Sequence, residues 1–269
     1  MLDLKNNLSA KIIVAFFCSF LIYVVAYKAI HLPITHDEKS ATVYYATWDF
    51  AGIIKSDCWP SNHILNSLLI KVCENLWGIE PWSVRLPNVI SMFLFLTVLY
   101  LVAVRYFSKH GLLFCLPFIL FCNPFLVDFY GLARGYGMSN AFLACSVYSL
   151  LLFSSSLKQK WYYLSIVFAM LAAYANFTLL IYWAAVQILL AFIYMVNAYS
   201  KKEKISKVVL HLFCTALLAA AFLALSYEPL YKMSTTNQFV YWAKESFYHD
   251  TFQSVIDCFF MEQVIIRSW

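Results

Sequence analysis

The residues of this chain best suited to chemistry are Asp37, Glu38, His63, Arg85, Arg134 and Tyr136. Asp37 and Glu38 are adjacent, so on a helix they point about 100° apart and do not form a facing carboxylate pair. Separate roles follow: one accepts a proton from an acceptor hydroxyl, while the other orients a neighbour or helps to hold a divalent cation. The same residues also have a structural use. Thr35-x-x-Glu38 spells a helix capping box, and Asp37 falls where a helix dipole favours any anion. His63 heads an apolar stretch further along. A carboxylate with an imidazole suits zinc binding or acid–base work, but no HxxxH or HxxE spacing accompanies it, and a lone histidine is usually structural. His31 and His36 have weaker claims. Arg85 precedes Leu86-Pro87, and Arg134 lies in Gly131-Leu-Ala-Arg-Gly-Tyr-Gly137. Guanidinium forks hold phosphate bidentately, and the glycines let backbone approach a ligand closely. The alternative for each arginine is snorkelling to lipid headgroups or pairing with Asp128.

The elements that must position these residues are membrane helices. The chain is 63% hydrophobic and only 12% charged, against about 25% charged in an ordinary soluble domain, and its mean hydropathy is +0.72. These values exclude a water-soluble fold and leave no room for a large soluble domain. The net charge of +5 comes from short basic clusters between apolar runs, which is a topology signal and not a nucleic-acid surface. None of the eight cysteines forms a CxxC pair. Most lie in apolar runs as packing residues, and Cys58 with Cys73 offers a disulfide in an oxidising compartment. Lys5 and Lys11 precede the first apolar run as in a signal peptide, but no small-residue cleavage site follows, so that run is an uncleaved span.

The fold class is an all-α polytopic membrane protein of about seven transmembrane helices. A hydrocarbon core of ~30 Å takes about 20 helical residues. Ile12 to Ile30, Asn88 to Val104, Leu112 to Val127 and Met138 to Leu157 supply the first four. The uncharged stretch Trp161 to Tyr199 is cut near Asn176 into two, and Val208 to Tyr227 makes the seventh. With the N-terminus in the cytoplasm, the inner segments hold ten basic residues and two acidic ones, leaving nine basic and twelve acidic outside, as the positive-inside rule asks. Residues 1–230 then form one transmembrane domain with an outer loop at 33–87, followed by an extracytoplasmic segment at 231–269. The outer loop reads as two interfacial helices. The first carries Val43, Tyr44, Ala46, Trp48 and Phe50. The second is capped by Ser61 or Asn62 and carries Ile64, Leu65, Leu68, Leu69 and Val72 on its apolar side.

Five pieces then fall in order: Asp37-Glu38 after span one, Pro60-Ser-Asn-His63 before an apolar helix, Arg85-Leu-Pro87 at span two, Asn123-Pro-Phe with Ala133-Arg-Gly-Tyr136 between spans three and four, and Tyr174-Ala-Asn-Phe177 between spans five and six. The pattern resembles the lipid-linked sugar transferases of the GT-C glycosyltransferase superfamily, in particular the protein O-mannosyltransferase and aminoarabinose-transferase type, over residues 10 to about 230. The resemblance implies a polyprenyl-phosphate sugar donor, an acceptor hydroxyl on a protein, lipid or glycan, and inversion at the anomeric carbon. By motif position Asp37 would be the general base and Glu38 an acceptor-positioning or metal-associated residue. Arg85 and Arg134 would clamp the donor phosphate, and His63 and Tyr136 would touch substrate or an associated metal. A divalent cation is one option for a cofactor. The chemistry would face the periplasm from a bacterial inner membrane, or the lumen of the endoplasmic reticulum.

Two features depart from that pattern. The His63 motif reads Ser61-Asn62-His63-Ile64 in place of the proline-rich form. The chain also stops at Arg267-Ser-Trp269, where superfamily members continue through further spans, so the resemblance implies a piece, or a short member working with a partner subunit. Two other classes compete: a transporter or flippase for a lipid-linked or small polar solute, and a non-catalytic membrane assembly subunit. A transporter needs polar groups near the bilayer midplane. The spans offer scattered Asn140, Asn176, Gln187 and Asn197, and no internal repeat is evident.

Overall fold

The computed structural model describes residues 8–55, 62–108 and 111–236, and the described residues form helices joined by short turns. Among the described residues, five helices are long and apolar enough to cross a membrane: Ser9–His31, Pro81–Phe107, Gly135–Ser156, Phe177–Ser200 and Ile205–Thr235. The protein is a multi-pass integral membrane protein. Large apolar side chains such as Phe16, Ile181 and Phe213 lie exposed on these helices, where lipid and not water is the solvent.

In chain order the α-helices are α1 (Leu8–His31), α2 (His36–Lys39), α3 (Phe50–Lys55), α4 (Ile64–Trp77), α5 (Pro81–Val102), α6 (Leu116–Phe121), α7 (Pro124–Asp128), α8 (Gly135–Ser156), α9 (Gln159–Ala175), α10 (Leu180–Ser200) and α11 (Ile205–Thr235). Of the seven expected spans, five correspond to these single long helices. The third expected span is a pair of helical segments, Leu112–Phe121 and Pro124–Gly131, bent by 64°. The break is local chemistry: Pro124 has no N–H to continue the ladder, and the Asn123 side chain caps α7 by accepting from Leu126 N at 2.9 Å. The fifth expected span is α9, whose 17 residues reach only about 26 Å. It ends where expected, because Asn176 turns extended and caps the next turn through Thr178 N. α11 continues through Pro229 past its expected end at Tyr227. Most of the expected C-terminal segment, and Cys58, lie outside the described residues.

Two cores hold the helices. In one, Val14, Leu21 and Val25 of α1 pack against Met92, Phe95 and Leu99 of α5, with Phe118 and Tyr130 closing it. In the other, Ile166, Ala169 and Ala173 of α9 pack against Trp183, Val186 and Leu190 of α10 and Phe222 of α11. The α8–α9 hairpin joins them. Ser146 Oγ donates to Ser165 O at 2.8 Å and Ser165 Oγ to Ser146 O at 2.9 Å; such small hydroxyl residues let membrane helices approach closely while satisfying each other.

On α4, Leu69 and Val72 of the expected apolar side are exposed along with Leu76, while Ile64 of that side is buried together with Asn66, Ser67, Ile70 and Cys73 against the bundle. The inward face is polar because its groups have partners. Ser67 Oγ donates to Asn62 Oδ1 at 2.9 Å, and Asn66 bonds both Ala133 and Asn88. Outward leucines cost little beside lipid, whereas unpaired amides there would cost several kcal/mol, on the order of the penalty for a lost buried hydrogen bond. The first expected interfacial helix is also divided, into α2, a π-helical turn at Ser40–Tyr45, and α3.

The ends of the bundle are chemically distinct. The C-terminus of α1, the starts of α5 and α8, the end of α9 and the last turns of α11 share one end with α2, α3 and α4. Arg85, His63–Ala175 and Met233–Ile53 contacts mark it. At the opposite end Arg105 donates to Ser155 Oγ, and Lys201, Lys202, Lys204 and Lys207 gather between α10 and α11.

Candidate functional site

Thr35 sets the geometry of the link that follows α1. Its extended backbone ends the link from α1, its hydroxyl accepts from Glu38 N at 3.4 Å, and Glu38 Oε2 accepts from Thr35 N at 2.9 Å. The capping box spelled by the sequence is therefore present. One turn of helix then sends the two carboxylates in different directions.

Glu38 points inward and is fully buried. Arg85 Nε and Nη2 each donate to it at 2.7 Å, and Ala133 N donates to Oε1 at 2.6 Å. Burial alone would raise its pKa, but the Arg85 bonds, the Ala133 and Thr35 amides and the arginine's charge together outweigh it and hold the carboxyl below the usual range. Arg85 is buried as well. Its Nη1 donates to the carbonyls of Lys28, Ala29 and Leu32, and Nη2 also donates to Pro33 O at 2.9 Å. Lys28 and Ala29 belong to the last turn of α1, and Leu32 and Pro33 to the link beyond it, so Arg85 caps the end of α1 while pairing with α2. Its fork has no donor left for a phosphate; of the two arginines expected to clamp one, Arg134 alone keeps a nitrogen without a partner among the described residues.

Asp37 points outward, with 70% of its side chain exposed, and Arg134 Nη1 meets its Oδ2 at 2.6 Å. Arg134 is itself mostly buried, lies 5.3 Å from the centre of the Tyr136 ring, and its Nε has no partner among the described residues. Tyr136 is wedged between Phe129 and His63, at ring separations of 4.9 and 4.6 Å, so the aromatic platform beneath Arg134 is fixed. Asp128, expected as a partner for an arginine, pairs with Lys28 instead.

The loop carrying Arg134 is gripped at Ala133. Its N–H goes to Glu38, and its carbonyl accepts from Asn66 Nδ2 at 3.2 Å. Asn66 Oδ1 accepts from Asn88 Nδ2 at 2.7 Å, and Asn88 Oδ1 accepts from Met138 N at 3.2 Å in the first turn of α8. This amide relay was not anticipated. Its signal was available: Asn66 and Asn88 are amides inside apolar runs, and such groups need buried partners.

His63 sits beside Gly135, where an added Cβ would lie 2.3 Å from Ala175 O and 2.6 Å from the His63 Cβ. Only glycine allows α4, α8 and α9 to meet there. His63 Nδ1 lies 2.9 Å from Ala175 O. A carbonyl only accepts, so Nδ1 carries the proton and Nε2 is a bare acceptor, without a partner among the described residues. Burial, reinforced by the Arg134 charge and opposed by the Ala175 bond, pushes the imidazole down to about 4. His36 is fully exposed. Among the described residues no three His, Cys, Asp or Glu side chains gather in a metal-binding group.

Asp37, Arg134, Tyr136 and His63 thus form one contiguous cluster at the α1/α5/α8 end, above the Glu38–Arg85 pair. Comparison of the chain with protein-family models, with curated proteins and with solved structures finds no match in any of the three.

Proposed function

We propose that the protein is a membrane glycosyltransferase of GT-C type that moves a sugar from a polyprenyl-phosphate donor to an acceptor hydroxyl outside the cytoplasm. The observation that carries this reading is the contact of Asp37 with Arg134, an exposed carboxylate and a partly sheltered guanidinium brought together from separate loops. The asymmetry of basic residues between the two sides supports the orientation.

In the reaction Asp37 takes the proton of the acceptor hydroxyl as its oxygen bonds to the anomeric carbon from the face opposite the phosphate. The bond between that carbon and the phosphate oxygen breaks, and its electron pair leaves with the phosphate. Arg134 stabilises the developing charge, aided by the positive end of the α8 dipole. Attack from the opposite face inverts the anomeric centre. Donor phosphate competes with Asp37 for the Arg134 fork, so donor binding loosens the carboxylate for proton transfer. His63 Nε2 is suited to accept a hydrogen bond from a sugar hydroxyl beside Tyr136. Glu38 and Arg85 position the loops and do not touch substrate.

The test is sugar transfer by the purified protein, supplied with polyprenyl-phosphate sugars and an acceptor extract. Asp37→Asn should lower turnover by about 10²–10⁴, the range for loss of a general base. Equal transfer by wild type and variant sinks the assignment.

A further inference from the structure

The end of the bundle opposite Asp37 carries a second polar constellation. A cavity of about 400 Å3 there is lined by Gln159, Tyr163, Tyr194, Glu203, Lys207 and His211. His211 is 4% exposed although it lies on an apolar membrane helix. Its ring stacks on Tyr194 at 3.9 Å, meets Tyr162 edge-on at 4.4 Å, and its Nδ1 is 2.9 Å from the Tyr163 hydroxyl. Three tyrosines therefore fix the imidazole, while Nε2 is left without a partner among the described residues. A buried histidine held this firmly with one nitrogen unused is costly unless something fills that position.

The charges around it are separated by sign. Glu203 accepts only a 3.4 Å bond from the Tyr194 hydroxyl, and it forms no ion pair with the neighbouring lysines among the described residues. Lys207 lines the same cavity, likewise without an ion pair among those residues. One carboxylate beside aromatic rings suits an ammonium, and a free lysine suits a phosphate. Glu203 also borders an adjoining cavity of about 450 Å3 whose walls include Met195, Ala198, Val208 and Val209. A polar chamber and a mostly apolar one, which Lys202 also borders, meet at Glu203, an arrangement that matches an amphiphile, a head with a chain attached.

We propose that this end binds a zwitterionic phospholipid of the phosphoethanolamine class. Its ammonium sits between Glu203 and the rings of Tyr163 and Tyr194, its phosphate sits on Lys207, and an acyl chain enters the adjoining cavity. His211 Nε2 completes the hydrogen bonding of the head. A purely anionic head meets repulsion from Glu203. A choline head carries no N–H to donate to Glu203. The site shares no residue with the Asp37–Arg134 cluster, so it stands or falls independently of sugar transfer.

The experiment is native mass spectrometry of the full chain released from vesicles of equal parts phosphatidylethanolamine, phosphatidylcholine and phosphatidylglycerol. Wild type is expected to retain phosphatidylethanolamine over the other two. Glu203→Gln, at a partly exposed position, should lower that retention roughly tenfold, as for loss of one charge-assisted hydrogen bond. His211→Phe, which keeps the ring stacking, should lower it too, with helicity and monodispersity unchanged in both variants. Retention of phosphatidylglycerol at or above phosphatidylethanolamine overturns the proposal in favour of a general basic surface. So does a Glu203→Gln variant that retains lipid like wild type, or a wild type that retains none.

Discussion

Two carboxylate–arginine pairs lie side by side in this protein, and their carboxylates are consecutive residues. Glu38 with Arg85 is sealed, at side-chain exposures of 0% and 1%, whereas Asp37 in its pair with Arg134 is 70% exposed. The buried pair spends every donor and both carboxylate oxygens on protein groups, tying α1, α2, α5 and the loop before α8 together. The open pair makes one contact between the partners and leaves Arg134 Nε unused. A carboxylate and a guanidinium thus make a sealed brace in one pair and an accessible contact in the other, and the difference is access to solvent. The step of about 100° between consecutive helical residues, phased by the Thr35 cap, decides which carboxylate goes where.

The largest effect should come from unpairing the brace. Arg85→Met leaves Glu38 buried beside an apolar side chain and strips the caps from the end of α1. Removing one partner of a buried pair costs about 3–5 kcal/mol, so the variant should lose most of its thermal stability in detergent or fail to accumulate. Arg134→Met should melt close to wild type. Equal melting temperatures for the two variants would erase the distinction between the pairs.

A smaller effect is expected from His63, which touches the platform under Arg134. Its pKa falls from 6.5 to about 4 in the folded protein, so below the ordinary value the unfolded chain takes up a proton that the folded protein refuses. Stability is complete above pH ~6.5 and declines as the pH falls towards 4, by an amount on the order of 3 kcal/mol or less. Glu38, also held low, adds its own loss at still more acid pH as protonation breaks its bonds to Arg85. Melting curves between pH 7 and pH 4 should slope downward for wild type and be flatter for His63→Leu. Parallel slopes would mean that the imidazole takes up its proton as readily in the folded state as in the unfolded one.

Local spelling foretold local structure well. The Thr35 box, the uncharged run broken at Asn176 and the one-sided placement of Asp37 and Arg134 each depend on neighbours in sequence or on the period of a helix. What the sequence concealed depends on partners far along the chain. The apolar side of α4 is legible in its leucines, but the polar inward face is not, because Asn66 finds its partners at Ala133 and Asn88. Arg85 read as a phosphate ligand because nothing nearby competes for it; its acceptors lie on α1 and α2. His211 is a signal of the same kind as Asn66, since a titratable ring in an apolar helix needs a built environment.

The smallest effect on stability should be that of Asp37→Asn, and it separates a reactive pair from a structural one most cleanly. An ion pair with one partner largely in solvent contributes about 0–1 kcal/mol, because water and salt screen it and ordering two side chains opposes it. Asparagine keeps the shape and can still accept a hydrogen bond from Arg134, so the loop geometry persists through the Ala133 grip and the amide relay. Thermal unfolding of Asp37→Asn should therefore track wild type, even in the assay where sugar transfer collapses. Loss of both together would make the pair a second brace. Loss of transfer alone means that Asp37 is dispensable to the fold because Glu38, one residue on, already bears the load.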